Sequence, residues 1–445
     1  LVVDPSIDAE LPVLHWWVQN QSAAGSRSGT RAQLYWNGQF YDNMFVRQRG
    51  GSTANNPVGK THFKFDFDQE RFEFDPAYKR VEEFNLNSSA SDQAYVRQPL
   101  AFEAYSMVGA PSSISFPLHV SRNNEFYGVF VFIEEPDDEM LEREGLDDNG
   151  ALYKFYNEFT STSGARKKTR TDEDMSDLQT FITQVNRLQG DELRAYLFDN
   201  VDLPATLNYL VATVLVHQND NPHKNHFLYR DTEGSGEWLY IPWDHDLTWG
   251  SNWVGTSFSD VIYADVDQIT FGPVPGHDLS VIQPSHPLVN IQQHREWNNH
   301  WNRLMDALLN DPIIRQMYLR RLRTLMDEFL QPPGTPVSHD FYRQKTLALR
   351  DQIAPDARLD LAKWGTWGDL ETITQAVNRV WNEFLPGRRE FLFRTMSITN
   401  GGEIPSPQSS NAMVQIDDLD SEFLECVEKL VQFVSAHRFV GQVFV

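Results

Sequence analysis

Two short segments carry residue types and spacing that suit phosphoryl transfer. In HQNDNPHKNHFLY an apolar run ends in polar residues, and four residues separate Asp220 from Asn225. In phosphoryl transfer an Asp orients or deprotonates the attacking hydroxyl, and an Asn of the same loop binds a metal that bridges phosphates. The spacing alone is a weak signal, because Asp and Asn are common in loops, where their side chains bond nearby backbone groups.

The second segment, WLYIPWDHDLTWG, places Asp244 and Asp246 just after a predicted strand. A hairpin would lay this strand beside HFLYR, which follows Asn225, so the two segments would lie side by side. Mg²⁺ takes one or two carboxylates together with phosphate oxygens and water. The alternative is that Asp244 and Asp246 cap a turn or pair with an arginine.

The elements that must position these residues change type along the chain. From Leu11 to about Phe155 the pattern alternates as in strands, and FKFDF puts Phe63, Phe65 and Phe67 on one face. Within this half, SDQAYVRQPLAFEAYSMVG predicts a helix with Ser91 as its cap. After the polar loop GARKKTRTDED the period becomes helical, interrupted by the HFLYR hairpin. The sequence therefore predicts an α+β protein, β-rich first and mainly helical afterwards.

We expect three regions. Residues 11–160 form the β-rich part, residues 161–400 form the helical part with the catalytic loop and metal site, and residues 401–445 form a linker and an amphipathic helix. The linker is predicted from the Gly, Pro and Ser content of GGEIPSPQSS. The last helix is expected to bury its apolar stripe on its own molecule or on a neighbour.

Composition excludes several classes of function. The 62 acidic and 38 basic residues give a net charge of −24, which argues against a nucleic-acid partner. The single cysteine, Cys426, allows neither an internal disulfide nor a cysteine-based zinc site. No stretch reaches the roughly 20 apolar residues of a membrane span. The chain starts at Leu1 without a basic and apolar leader, as expected if a signal segment has been removed.

Five ordered motifs resemble the spore-coat CotH family of secreted, atypical protein kinases, from Leu11 to about Phe393. They are RGGSTANNPVGKTHFKFDF, SDQAYVRQPLAFEAY with Asp92 and Arg97, FYGVFVFIEEPDDEML, GALYKF and IPWDHDLTWG. The resemblance implies a kinase-like fold of two lobes, a β-rich N-terminal lobe and a mainly helical C-terminal lobe. It also implies transfer of the γ-phosphate of ATP to hydroxyl groups of secreted or cell-surface proteins, with Mg²⁺ or Mn²⁺.

Carried over residue by residue, the resemblance implies that Asp220 is the catalytic acid and that Asn225 and Asp244 hold the metal, with Asp246 a less certain ligand. It also implies that a lysine meets the nucleotide phosphates and is held by Glu134. Lys60 and Lys64 both match the family pattern, and strand parity puts them on one face; we prefer Lys64, which lies within FKFDF.

Some details stay open at this stage. The Gly-containing turn after Arg49, with Ser52, could bring backbone amides to a phosphate or could only close a hairpin. Arg97 could reach the phosphates, whereas a helical pair with Asp92 five residues away is not favoured. The sequence also departs from the family pattern, since GK replaces a lysine pair.

Two other classes of function compete with a kinase. The first is a surface binding protein or adhesin that keeps the kinase scaffold with little catalysis, since fold alone does not decide function. The second is a transition-metal centre built from His217, His223, His226 and His245, which crowd around the candidate loop. A serine hydrolase is disfavoured because no G-x-S-x-G motif is present. The oligomeric state cannot be predicted.

Overall fold

The computed structural model describes residues 9–253, 258–259 and 302–407, apart from Ser52, Thr53, Asn55, Gln69, Asn219, Pro222 and Asp369. The chain divides into two units, Leu1–Pro405 and Ser406–Val445, and every element below belongs to the first. The predicted C-terminal helix lies outside the described residues.

Most strands of the N-terminal part close into a barrel. These strands are β1 (Val13–Trp17), β2 (Thr30–Trp36), β3 (Gln39–Gln48), β4 (Phe63–Asp66), β5 (Glu83–Asn87), β6 (Ser115–Arg122) and β7 (Glu125–Glu134). Their order around the barrel is β1, β2, β3, β4, β5, β7, β6. β1 and β6 are parallel, and the other neighbours are antiparallel.

A four-stranded sheet contains the predicted hairpin. Its strands are β8 (Ala151–Phe155), β9 (Arg166–Lys167), β10 (His226–Arg230) and β11 (Trp238–Pro242), and a separate short pair is formed by β12 (Asn252–Trp253) and β13 (Phe258–Ser259). The order is β11, β10, β8, β9, so β10 lies between the hairpin partner β11 and the strand of GALYKF. The antiparallel pairing of HFLYR with WLYIP is confirmed.

Helices dominate the C-terminal part. The helices are α1 (Gln21–Ala24), α2 (Arg97–Met107), α3 (Asp138–Arg143), α4 (Ser176–Arg187), α5 (Gly190–Asn200), α6 (Leu203–Leu215), α7 (Arg303–Asn310), α8 (Pro312–Leu325), α9 (Phe341–Trp364), α10 (Ile373–Arg379) and α11 (Leu385–Glu390). The α+β class, with strands first and helices later, is confirmed; the two-lobed arrangement stays a prediction. None of the described helices combines the length and the apolar composition required to cross a bilayer.

The barrel interior is aromatic. Phe63, Phe65 and Phe67 are 1%, 0% and 6% exposed, as the alternation in FKFDF predicts. The Phe65 ring stacks on Phe84 of β5 with centroids 4.9 Å apart. Burying one such side chain stabilises the fold by about 1.5–3 kcal/mol. Because strand residues alternate, Lys64 between these phenylalanines must lie on the opposite face of the strand.

The helix predicted from Ser91 begins later, at Arg97, and Asp92 precedes it. The Asp92 carboxylate accepts hydrogen bonds from the backbone N–H groups of Ala94 and Arg97, at 3.0 and 3.1 Å. It also forms an ion pair with the Arg97 guanidinium at 2.5 Å, and both side chains are buried. The two residues therefore pair, but not within one helix, which was the only arrangement that the spacing disfavoured. The cap assigned to Ser91 was wrong, because Val96 is the N-cap residue.

A buried ion pair joins the barrel to α9, which packs against β7. The Lys60 ammonium lies 2.7 Å from Asp360 Oδ1 and donates to the Val129 carbonyl at 2.7 Å. Asp360 also accepts from the Tyr95 hydroxyl at 2.8 Å and from the Val129 N–H at 2.9 Å. Since β4 begins only at Phe63, Lys60 does not share a strand face with Lys64. The parity argument for Lys60 is therefore wrong.

Removing one member of this pair should destabilise the protein strongly, because the other charge would stay buried alone. We expect Asp360→Ala to lower the free energy of unfolding by about 3–5 kcal/mol, and the double variant Lys60→Met/Asp360→Leu to lose less. Urea unfolding of the full chain measures both.

The control is Glu390→Ala, which removes an exposed pair with Arg394 on the surface. It should change the free energy of unfolding by less than about 1 kcal/mol. A loss of that small size in Asp360→Ala would contradict the role given to the buried pair.

Candidate active site

The loop that carries Asp220 is fixed by the helix before it. Helix α6 is buried along nearly its whole length and is capped at its start by Asp202. After it, Gln218 connects the two acidic segments: its amide oxygen accepts from the Asp220 N–H at 2.9 Å, and its amide nitrogen donates to the Asp244 carbonyl at 2.9 Å. The two segments of the predicted site are therefore adjacent.

Asn225 and Asp244 lie at the same end of the β10–β11 hairpin. His226 pairs with Pro242 in the strand register, and the Trp243 N–H continues the ladder by donating to the Asn225 carbonyl at 3.1 Å. Both Asn225 and Asp244 have left-handed backbones, with φ of 63° and 61°. Asn and Asp accept this conformation more readily than most residues. The hairpin therefore ends in two polar side chains suited to metal binding.

Asp220 is held from both sides of its carboxylate. Asn225 Nδ2 donates to Asp220 Oδ2 at 2.7 Å, and Lys224 Nζ lies 2.8 Å from Asp220 Oδ1. The structure thus brings Asp220 and Asn225 of the D-x4-N motif into direct contact. Because the Asn225 nitrogen donates here, its amide oxygen is the atom that could bind a metal.

Acidic groups accumulate around this point. Burial and the neighbouring Asp220 raise the pKa of Asp244, although Arg49, Lys154 and Lys224 oppose the change. Burial, Asp244 and Asp220 raise the pKa of Asp246 well above its usual value, against a hydrogen bond from the Ser91 hydroxyl. A divalent cation would favour the ionised forms of these carboxylates. The oxygen-only donor set of Asp244, Asn225 and Asp246 fits Mg²⁺ or Mn²⁺.

The described histidines belong to no group of three or more possible metal ligands. Among the described residues such a group is formed by Asp137, Asp138 and Glu139 at the start of α3, whose ligand atoms lie within 4.8 Å of one another. His217 stacks on Phe384, and His245 packs on Tyr105.

Lys64 belongs to a cluster of four charges outside the barrel. Its ammonium lies 2.7 Å from Glu83 and 3.2 Å from Glu135, and Lys168 contacts the same two carboxylates at 3.4 and 2.7 Å. Burial alone would raise the pKa of Glu135, but Lys64, Lys168 and Arg49 hold it well below its usual value. Glu135 is therefore an ionised partner of Lys64.

Glu134 was predicted to hold this lysine, but the structure gives it a different partner. The Glu134 carboxylate lies 2.6 Å from Arg143 of α3 and accepts from the Ile114 N–H at 3.0 Å. Adjacent strand residues point to opposite faces, so Glu134 and Glu135 cannot both reach Lys64. The structure therefore contradicts the predicted pairing of Lys64 with Glu134 and shows Glu135 as its partner instead.

The two candidate lysines have different partners: Lys64 contacts Glu83 and Glu135, whereas Lys60 contacts Asp360. Lys60 is 1% exposed and bound to Asp360 of α9, so it is part of the packing between barrel and helix. The preference for Lys64 over Lys60 at the phosphates stays a prediction.

Arg49 follows β3 and faces the acidic residues. It donates to the Asn87 side chain, and its guanidinium lies 5.3 Å from the centroid of the Trp243 ring. Burial lowers its pKa, and Glu135 and Asp244 partly oppose this. Ser52, the other residue predicted for this turn, lies outside the described residues.

The sequence argument missed Lys154 and Gln218. Lys154 on β8 pairs in register with Phe227, and its ammonium lies 5.2 Å from the Trp243 ring centroid. Its strand, GALYKF, was recognised as a motif without a role for the lysine. Nothing in the sequence distinguishes Gln218 from other loop glutamines.

The comparisons with known proteins agree with these motifs. The model of the family described as CotH kinase protein matches residues 46–392. A curated relative, inner spore coat protein H of Bacillus subtilis (strain 168), is 28% identical over 187 residues, which is 39% of this chain. The chain spans about half the length of this relative, 51%.

Among solved structures, the Helicobacter pylori proinflammatory kinase CtkA matches 80% of this chain and 92% of its own. The identity is 11% and the TM-score 0.23, values too low to support any argument about this protein. The family match, by contrast, covers most of the chain, from β3 to the last helical turns, and includes all the residues of the candidate site. The chain belongs to the CotH kinase protein family.

Proposed function

We propose that this chain is an ATP-dependent protein kinase that transfers the γ-phosphoryl group to Ser, Thr or Tyr hydroxyls. The observation that carries the proposal is the contact between Asp220 and Asn225. Gln218 holds Asp244 next to them, because its side chain bonds to the backbone of both Asp220 and Asp244. These residue types meet in one place in phosphoryl-transfer sites. Membership of the kinase family supports the same reaction class.

Asp220 would act on the acceptor. Its carboxylate would orient the hydroxyl and take its proton as the oxygen–phosphorus bond forms and the bond between the β-bridging oxygen and the γ-phosphorus breaks. Lys224 and Asn225 fix the carboxylate on both oxygens, so little reorientation is needed when the acceptor binds. Catalysis would rest on this positioning and on neutralisation of charge.

Asn225 and Asp244, with Asp246 as a further candidate, would hold Mg²⁺ or Mn²⁺. When bound, the metal would neutralise phosphate charge and orient the phosphate chain. Lys64, aimed by Glu135, would approach the nucleotide phosphates as a mobile point charge.

The acceptor would be a secreted or cell-surface protein. This part of the proposal rests on the relative named inner spore coat protein H, of which the chain covers about half. The competing function is a surface binding protein or adhesin on the same scaffold. An adhesin has no physical reason to hold Asp220, Asn225 and Asp244 together.

Replacing the two acids should separate transfer from binding. We expect Asp220→Asn to lower phosphate transfer by about 10²–10⁴-fold while ATP and Mn²⁺ still raise the melting temperature. Asp244→Asn should abolish both transfer and the metal-dependent increase in melting temperature. Mass spectrometry of phosphorylated residues, on the chain itself or an added protein, measures transfer.

The control is Asp191→Asn, whose side chain is 93% exposed on α5. It should behave as the wild-type protein in both assays. Full transfer by Asp220→Asn would overturn the mechanism, and a wild-type protein that ATP and Mn²⁺ do not stabilise would favour the adhesin.

The lysine–glutamate pair gives a second test. Glu135→Gln should weaken nucleotide binding by about ten-fold, because Lys64 would lose one of its two carboxylates and its direction. Glu134→Gln should instead lower the melting temperature through loss of the Arg143 contact. Calorimetric titration with ATP and Mn²⁺ measures the affinity. If Glu134→Gln weakened binding and Glu135→Gln did not, Glu134 would be the residue that holds the lysine at the phosphates.

The lowered pKa of Glu135 predicts a pH dependence of stability. A carboxylate whose folded pKa lies below its unfolded value of about 4.3 stabilises the fold above that pH and loses this contribution as the pH falls. The difference in unfolding free energy between wild type and Glu135→Gln should therefore shrink by about 1 kcal/mol from pH 7 to pH 3.5.

Urea unfolding at both pH values measures this difference. Glu142→Gln, whose side chain is 50% exposed, serves as the control and should differ little from wild type at either pH. An equal Glu135→Gln deficit at pH 7 and pH 3.5 would contradict the lowered pKa.

A further inference from the structure

The cations around the site are not equally compensated. Most lysines that face the barrel and the catalytic loop lie within 3.4 Å of a carboxylate. These pairs are Lys60 with Asp360, Lys64 with Glu83 and Glu135, Lys168 with Glu135 and Glu83, and Lys224 with Asp220. A protein with 62 acidic and 38 basic residues has carboxylates to spare for such pairing.

Arg49 and Lys154 are exceptions. Neither forms an ion pair with any residue in the described part of the chain, although both lie close to the acidic segment that follows β11. Arg49 donates to a neutral amide, that of Asn87. Lys154 lies over the rings of Phe227 and Trp243, with centroids 5.6 and 5.2 Å from its ammonium.

This arrangement costs free energy in the ligand-free protein. A partly buried cation loses hydration, and an aromatic ring replaces only part of it. Accordingly, burial and the nearby Arg49 lower the pKa of Lys154 to about 8, although Asp244 and Glu135 oppose the change. An anion placed between the two cations would remove this unfavourable energy.

The two charges are placed to share one ligand. Their distances to the centroid of the same Trp243 ring are 5.3 and 5.2 Å, and Arg49 lies near enough to Lys154 to lower its pKa. Arg49 comes from the end of β3 in the barrel, and Lys154 comes from β8 in the four-stranded sheet. Arg supplies a planar fork of donors, and Lys supplies a point charge.

We propose that Arg49 and Lys154 form a phosphate clamp that binds the polyphosphate of the nucleotide beside Trp243, in addition to the lysine of the Lys64–Glu135 pair. The nucleotide as ligand rests on the kinase function proposed above. The clamp crosses from the barrel to the four-stranded sheet, so a bound polyphosphate would tie the two sheets together.

Lys64 is less suited to be the main phosphate contact. Its ammonium already lies between two carboxylates, Glu83 and Glu135, so much of its charge is compensated before a phosphate arrives. Arg49 and Lys154 form no ion pair with a carboxylate among the described residues, although Glu135 and Asp244 lie near enough to act on both cations. We therefore expect the larger share of phosphate affinity to come from the clamp.

Calorimetric titration of the full chain with inorganic pyrophosphate, and separately with ATP and Mn²⁺, tests the clamp. Lys154→Met keeps the length of the side chain and removes its charge, and it should weaken pyrophosphate binding by about ten-fold or more. Lys154→Arg should restore most of the affinity. Lys79→Met, which removes an exposed lysine charge paired with Glu142, should bind as wild type does.

Thermal melting distinguishes a ligand site from a structural role. If Lys154 is an uncompensated cation, Lys154→Met should melt at the same or a higher temperature than wild type without ligand. A structural lysine would show a lower melting temperature in Lys154→Met and unchanged binding by the folded fraction, and that result would overturn the proposal.

The outcomes also separate the clamp from the kinase function. Pyrophosphate and ATP binding that depends on Lys154, without any phosphate transfer, would keep the clamp and refute the kinase. Transfer by the wild type together with unchanged pyrophosphate and ATP affinity in Lys154→Met would refute the clamp and keep the kinase. A wild-type protein that binds neither pyrophosphate nor ATP would refute the clamp.

Discussion

A charge removed from water must be given an opposite charge or a set of hydrogen bonds, and this constraint organises the contacts between the barrel and the helices. The Lys60–Asp360 pair is the clearest case, since it joins residues 300 positions apart. It also satisfies the backbone of Val129, because Lys60 donates to the Val129 carbonyl and Asp360 accepts from the Val129 N–H. Other buried charges in the described chain are also paired: Arg97 with Asp92 at the start of α2, and Arg389 of α11 with Asp340 before α9. The Lys60–Asp360 pair needs both partners in place, so the barrel and α9 depend on one another.

The same constraint explains the character of the candidate site. Around Asp220, Asp244 and Asp246 like charges are held together at partial burial, and the pKa values of Asp244 and Asp246 rise in consequence. Opposite them, Arg49 and Lys154 stay without a carboxylate partner among the described residues. A fold optimised only for stability would have cancelled these charges. Their separation is what a cation and a polyphosphate would require, because each would find its complement already in position.

Backbone pairing, and not side-chain chemistry, sets the positions of these groups. The register of β10 with β11 puts Asn225 opposite Trp243, and the register of β10 with β8 puts Lys154 beside Phe227. A shift of one residue in the pairing of β8 with β10 would turn Lys154 to the other face of the sheet. The buried helix α6 then fixes where the Asp220 loop begins, and Gln218 connects that loop to the hairpin.

The sequence by itself determined the local patterns. Alternation in FKFDF fixed the buried face of β4, the turn residues between HFLYR and WLYIP fixed the hairpin, and the ordered motifs indicated the family. These properties depend on neighbours in the chain, so they can be read from spacing. Only the tertiary structure decided that Lys60 serves α9, that Glu135 and not Glu134 meets Lys64, and that Asp92 pairs with Arg97 from outside the helix. Those outcomes depend on which opposite charge lies nearby after folding, because a buried charge needs a partner. That partner can come from any part of the chain, so the spacing of residues in the sequence does not predict it.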